Sequence, residues 1–263
     1  MRILTVIKQV PDSNAAIKVK ADGSGIETAG LRMVCDPFDE FGVELALQLR
    51  EKHGNVDDIV AICLGGDKAA EAIRTALAMG ADRAVHLNDP KFESMNELFA
   101  AWILTQAIKK DESGFDLILC GKYNIDLDSG ALGPAIAEFL DWPHVGAVTG
   151  LALADDGRSF TARRRIEGAE EVVTCDLPAL LTIEKGLVEP RYPSLPNLMK
   201  AKKKPVQVLT ADDLPPAEPW TRGTDLLSIS PPPPRPECKI VEGQPQEMAR
   251  ELARLLREEA KVV

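Results

Sequence analysis

Apolar residues fall along this chain in two alternating patterns: short unbroken runs, and stripes spaced at helical intervals. Ile3, Leu4, Val6 and Ile7 form the first run, as expected for a strand buried on both faces of a parallel sheet. Residues 59–64, 84–87, 115–120 and 180–183 repeat that pattern. After the first run, Asp36 stands as a candidate helix cap and Pro37 at the first helical position, with Val43, Leu45, Ala46 and Leu49 as the apolar stripe. Ala69, Ala72, Ile73, Ala76 and Leu77 share one face of a second helix that Gly80 stops; residues 94–110 and 131–140 give two more. Strands and helices alternating at this length predict an α/β fold with a doubly wound, mainly parallel sheet of Rossmann-like type. Two stretches break the alternation. Residues 17–34 read as a polar hairpin turning at Asp22-Gly23 and Ala29-Gly30, and residues 148–153, 160–166 and 171–175 as an antiparallel excursion.

Beyond residue 210 the pattern changes. Residues 211–236 are rich in proline, with Pro215, Pro216, Pro219, Pro231 to Pro234 and Pro236, which predicts extended, semi-rigid chain with little core of its own. A helix over residues 244–261 follows, with Met248, Leu252, Leu255 and Leu256 on one stripe. The expected organisation is an α/β domain over 1–210 and an extended C-terminal arm over 211–263. The arm's apolar stripe is received either by a partner subunit or by its own domain.

A second proline-rich stretch lies inside the domain. Pro190, Pro193 and Pro196 each fix their own φ and bias the preceding residue away from helix, so a stiff extended loop is expected, with Leu195 held between two prolines. Pro196-Asn197 then opens a short basic helix carrying Met199, Lys200, Lys202, Lys203 and Lys204. Two readings are open for residues 188–204: a docking loop that loses little entropy on binding, or a proline brace with a solvated lysine face.

Composition narrows the function. The formal net charge over 263 residues is −10, which argues against nucleic acid or an anionic membrane as partner. Positive charge is local, at Arg163 to Arg165 and at the lysines of 200–204. Five cysteines include no CxxC pair, and Cys63 and Cys120 sit in apolar runs, so buried free thiols in a reducing compartment are expected. His53, His86 and His144 give no metal spacing. The first strand begins without a signal-peptide pattern and no apolar run is long enough for a bilayer, so a cytoplasmic protein without direct membrane insertion is expected.

In open α/β sheets ligands collect at the carboxyl ends of the strands. Three loops are placed there: residues 8–12, 64–67 and 121–133. The third is the phosphate candidate, because its glycines admit close backbone approach and the amides from Gly130 through Ala131 and Leu132 to Gly133 open a helix. Neither a Walker motif nor a GxGxxG after a strand occurs. Asp126 and Asp128 flank the site without a nucleophile beside them, which favours capping or bracing over catalysis.

Residues Val188-Glu189-Pro190-Arg191-Tyr192-Pro193-Ser194-Leu195-Pro196-Asn197-Leu198-Met199-Lys200-Ala201-Lys202-Lys203-Lys204 resemble the signature of the β subunit of electron transfer flavoprotein. That family reads Asn-Glu-Pro-Arg-Tyr and then Leu-Pro-Asn-Ile-Met-Lys-Ala-Lys-Lys-Lys; Val188 and Leu198 are the departures. The resemblance runs from Val6-Ile7-Lys8-Gln9-Val10-Pro11 to the last helix. It implies an electron-carrier subunit with no catalytic residues of its own, acting as a heterodimer with an α subunit that supplies most of an FAD site. It also implies a second adenine nucleotide, AMP or another FAD, held on the 121–133 loop, with adenine contacts near Val6, Asp36 and Leu64. The usual phosphate pattern is Asp-Asp-Asp-x-Asn-Gln-Thr-Gly, whereas this chain has Asp126-Leu127-Asp128-Ser129-Gly130-Ala131-Leu132-Gly133, which leaves backbone amides and Ser129 as ligands. Arg164 to Glu170 resembles a segment lying toward the α subunit and the redox FAD. By the same resemblance, Leu195 and Lys200 dock an acyl-CoA-type dehydrogenase of fatty acid β-oxidation, and electrons leave to a quinone-linked oxidoreductase. The alternative from another class is a stand-alone nucleotide binder of the universal-stress type, for which a proline-rich arm and a docking loop have no use.

Overall fold

The unbroken apolar runs become the middle of a nine-stranded sheet in the computed structural model, which describes residues 1–93, 96–215, 226–235 and 237–263. The chain enters through β1 (Arg2–Ile7) and a short antiparallel pair, β2 (Gln9–Pro11) with β3 (Met33–Cys35). It continues through α1 (Pro37–His53), β4 (Asp58–Leu64), α2 (Ala70–Met79), β5 (Arg83–Leu87), α3 (Glu97–Lys110), β6 (Leu117–Gly121) and α4 (Leu132–Leu140). Then come β7 (His144–Leu153), β8 (Ser159–Ile166), β9 (Ala169–Asp176), β10 (Ala179–Ile183), α5 (Leu195–Ala201), β11 (Val206–Leu209) and α6 (Pro245–Glu258).

The sheet order is β11-β5-β4-β1-β6-β10-β7-β8-β9, parallel from β11 to the β10–β7 pair and antiparallel through β8 and β9. This is the α/β architecture that the alternation predicts. The chain winds outward from β1 through β4 to β5, then crosses back to β6 on the other side of β1, so the topological switch lies at β1 and β6. Successive side chains of the central strands feed opposite cores. Ile3, Ile7, Ile59, Ala61, Leu117 and Leu119 pack in one core with residues of α1 and α2. Leu4, Val6, Val60, Ile62 and Ile118 pack in the other with residues of α3 and α4.

Four local expectations need correction. The hairpin over residues 17–34 forms only an isolated bridge, Val19 to Ile26, because its few apolar side chains give a regular pair nothing to bury; the ordered pairing nearby is β2 with β3. β7 starts at His144 and pairs in parallel with β10 before it turns antiparallel against β8, so it belongs to the main sheet as much as to the excursion. β11, parallel to β5 at the sheet's edge, is a further strand that no apolar run marks. Leu195 lies in the first turn of α5 and not in extended chain: Ser194 caps that helix, its hydroxyl accepting from the Asn197 amide, and Pro196 is tolerated there because first-turn amides need no helical partner.

Two compact units divide at Ser228 and Ile229. In the smaller unit, 229–263, α6 begins with Pro245 and carries an Arg254 that pairs with both Glu251 and Glu258 along the helix. Met248 and Leu252 on its apolar stripe are exposed. The expected start of α3 at Ser94, and Pro216, Pro219 and Pro236 of the proline-rich stretch, lie outside the described residues.

Candidate functional site

Buried carboxylates build the switch point. Asp39, in the first turn of α1, accepts hydrogen bonds from the Lys8 amide (2.8 Å), the Gly121 amide (3.1 Å) and Asn124 Nδ2 (3.3 Å). One side chain thereby fixes the chain leaving β1, the end of β6 and the loop beyond. Asp36 acts beside it: its carboxylate caps α1 at the Phe38 amide (2.8 Å) and holds the Ile125 amide (2.8 Å). Burial pushes the Asp39 carboxyl well above the usual range, with the Asp36 charge adding to the effect, and burial likewise raises Asp36. Glu40 on the same turn is raised to about 7, by burial first and by Asp36 second.

Over this frame lies a cavity of about 510 Å³, within the range of small-molecule sites. Val6, Ile7 and Lys8 form one wall, residues 64–67 another, and Asn96, Glu97, Ala100 and Leu104 of α3 and its cap a third; Asn124, Leu127 and Leu132 close it from the 121–133 loop. Val6, Leu64, Ala100, Leu104 and Leu132 give it apolar surface. Lys8 is the cation among the described lining residues, against the carboxyl groups of Asp39, Asp67, Asp89, Glu93 and Glu97.

Of the residues picked out in the sequence for nucleotide binding, Val6, Leu64 and Leu132 line this cavity, while Asp36, Asp126, Ser129, Gly130, Ala131 and Gly133 lie outside its lining. Asp36 sits beneath, as a brace. Asp126 forms an ion pair with Lys8 at 2.7 Å, tying the loop to the end of β1. The Ser129 hydroxyl donates to Glu97, which joins the loop to α3. Gly130 and Ala131 are exposed at the mouth of α4, whose start carries no side-chain cap. Gly133 is buried, and a Cβ there would meet Thr182 Cγ2 at 2.6 Å and Cys120 Sγ at 2.9 Å, so glycine is what lets α4 approach the sheet. The sequence pattern does not single out Asp39, Glu97 or Asn124, which the fold brings to the cavity. The one signal for Asp39 was its place in the first turn after a capped proline, and an acid there usually faces water.

The second feature lies on the face of α1 and α2. Tyr192 is 98% exposed, Leu195 79% and Met199 64%, and Leu198 is exposed beside them. Lys200, Lys202 and Lys203 are exposed as well, but Lys204 is turned inward. Arg163 and Arg164 pair across the strands with Glu170 and Glu171, and Arg165 stands opposite Glu170 in register. Among the described residues, no cluster of His, Cys, Asp and Glu is fit to hold a metal, and no helix is long and apolar enough to cross a membrane.

A family model described as the electron transfer flavoprotein domain matches residues 24–214. The electron transfer flavoprotein subunit beta of Bacillus subtilis (strain 168) is 39% identical over 268 residues, spanning 100% of both chains. The subunit of the same name from Bos taurus is 39% identical over 237 residues, 89% of this chain and 90% of its own. That from Bradyrhizobium diazoefficiens is 41% identical over 214 residues, 81% of this chain and 83% of its own. Matched through most of its length by the family model and end to end by a bacterial relative, this chain belongs to the electron transfer flavoprotein family, among its β subunits.

Proposed function

We propose that this chain is one half of a heterodimeric electron carrier, binding an adenine nucleotide in the cavity and presenting the 188–204 segment to electron-donating dehydrogenases. The α subunit supplies most of the FAD site, the apolar stripe of α6 packs on that subunit, and the bound flavin carries the redox chemistry. This chain's residues bind, orient and dock. The donor is an acyl-CoA-type dehydrogenase and the acceptor a quinone-linked oxidoreductase.

The observation that carries this reading is the cavity. Its apolar walls suit a purine ring, and the uncapped first amides of α4 at Ala131, Leu132 and Gly133 suit a phosphate. Pro134 has no amide hydrogen, so three donors is the most that turn offers. With one ammonium facing several carboxyl groups, each further phosphate is disfavoured. We therefore place AMP ahead of a second FAD. Mass spectrometry of the nucleotides released from the purified two-chain complex tests this: one FAD and one AMP per heterodimer is expected. FAD alone, at one per heterodimer, would leave the cavity without a ligand and end the proposal.

A further inference from the structure

We infer that Arg191 and Lys204 are positioning residues, two cationic pins at opposite ends of the 188–204 segment that hold Leu195, Leu198 and Met199 ready for a partner. The inference rests on the docking function proposed above. It arises from how unevenly the segment is attached. Only Val188 and Ala201 within it are buried, which gives too little apolar contact to fix some seventeen residues. Both ends are nevertheless held by charged groups.

At the first end, Arg191 forks onto α1. Its Nε donates to Glu44 Oε2 at 2.7 Å and Nη2 to Glu44 Oε1 at 2.9 Å, while Nη1 reaches Glu51 Oε1 at 2.7 Å. The Arg191 backbone amide also donates to Glu44, at 3.2 Å, so main chain and side chain are clamped together. The Glu44 side chain is only 4% exposed, and a carboxylate that deep needs a partner of this kind. A lysine has no planar fork to bridge two carboxylates.

At the second end, Lys204 Nζ donates to the Leu77 carbonyl at 2.9 Å and to that of Ala81, on either side of the Gly80 that ends α2. A cation there satisfies terminal carbonyls and meets the negative end of the helix dipole. Between the pins, Tyr192, Leu195 and Met199 face outward. Lys204 thus differs in kind from Lys200, Lys202 and Lys203, although the four lie within five residues. A segment fastened at both ends has already lost the freedom that a partner would otherwise have to remove.

The test uses the flavin-loaded complex of this chain with its α subunit, an acyl-CoA dehydrogenase reduced by its own substrate, and two readouts. One is amide hydrogen exchange across residues 197–203; the other is KM and kcat for reduction of the complex. Arg191→Gln and Lys204→Met should each speed exchange about tenfold or more and raise KM about five- to tenfold with kcat unchanged. Arg191→Lys should recover only part of the loss. Leu195→Ala should raise KM without speeding exchange. Should Arg191→Gln fail to fold around an unpaired Glu44, the double variant Glu44→Gln with Arg191→Gln removes that charge, and Lys204→Met tests the far end independently. Normal exchange and normal KM in the pin variants, with Leu195→Ala impaired, overturn this inference alone. Normal transfer by Leu195→Ala overturns the docking function, and the inference with it.

Discussion

The cavity and the 188–204 segment are built by opposite means. At the cavity, charged side chains are turned inward: Asp36 and Asp39 spend their hydrogen bonds on the amides of Phe38, Ile125, Lys8 and Gly121. The cavity's walls then combine the apolar side chains of Val6, Leu64, Ala100, Leu104 and Leu132 with Lys8 and several carboxyl groups. At the segment, apolar side chains are turned outward, and charged groups at its two ends fasten it to helices. One region is shaped by backbone that buried carboxylates hold in place, the other by side chains on a segment that charged groups hold in place. In the 188–204 segment the side chains themselves are the surface.

Four substitutions break or sharpen this contrast, from the largest expected effect to the smallest. Asp39→Ala strands three N–H donors at the switch point, and chemical denaturation should show a loss of about 3–5 kcal/mol along with loss of bound nucleotide. Leu195→Ala should do the reverse. Thermal stability should stay within about 0.5 kcal/mol of the parent, while electron transfer from the dehydrogenase at subsaturating protein slows roughly 5- to 150-fold. Gly133→Ala drives a Cβ into Thr182 and Cys120 and should cost about 1–3 kcal/mol, read as a lower denaturation midpoint.

The last substitution concerns pH. Glu40 titrates at about 7 in the fold against an ordinary 4.5, so the folded state takes up a proton and stability falls as pH rises from about 4.5 to about 7. Glu40→Gln should flatten that slope and stabilise the protein at pH 8 by about 1–2 kcal/mol, a figure reduced for partial exposure. A melting curve measured at pH 5 and at pH 8 for both proteins checks it: the variant should gain only at the higher pH.

The central strands were legible because burial on both faces leaves an unbroken apolar run, and α1 because Asp36 and Pro37 mark its start. β11 was not, since Val206, Gln207 and Val208 are exposed at the sheet's edge and Leu209 alone is buried, which leaves no run to see. The cavity's position followed from strand order, but its chemistry did not. Asp39 and Glu44 are acids on a helix, and nothing in their spacing says that they point inward while Glu51 points out. For the same reason Lys204 reads like its neighbours until the carbonyls of Leu77 and Ala81 are seen above it. Periodicity shows which face of an element is apolar. It does not show which charge is enclosed.

An open sheet of this kind also has ends, and β9 is one of them. Among the described residues no strand pairs with its outer side, and Val172 stands 64% exposed there, the kind of rim along which identical chains can pair edge to edge. Glu170 and Glu171 precede that valine and Asp176 ends the strand. A second copy laid along the rim in either direction would bring carboxylates near carboxylates, with the arginines that balance them already engaged on β8. Carboxylates brought together in this way would repel and so oppose edge-to-edge pairing. Because that repulsion is electrostatic, concentrated salt would weaken it.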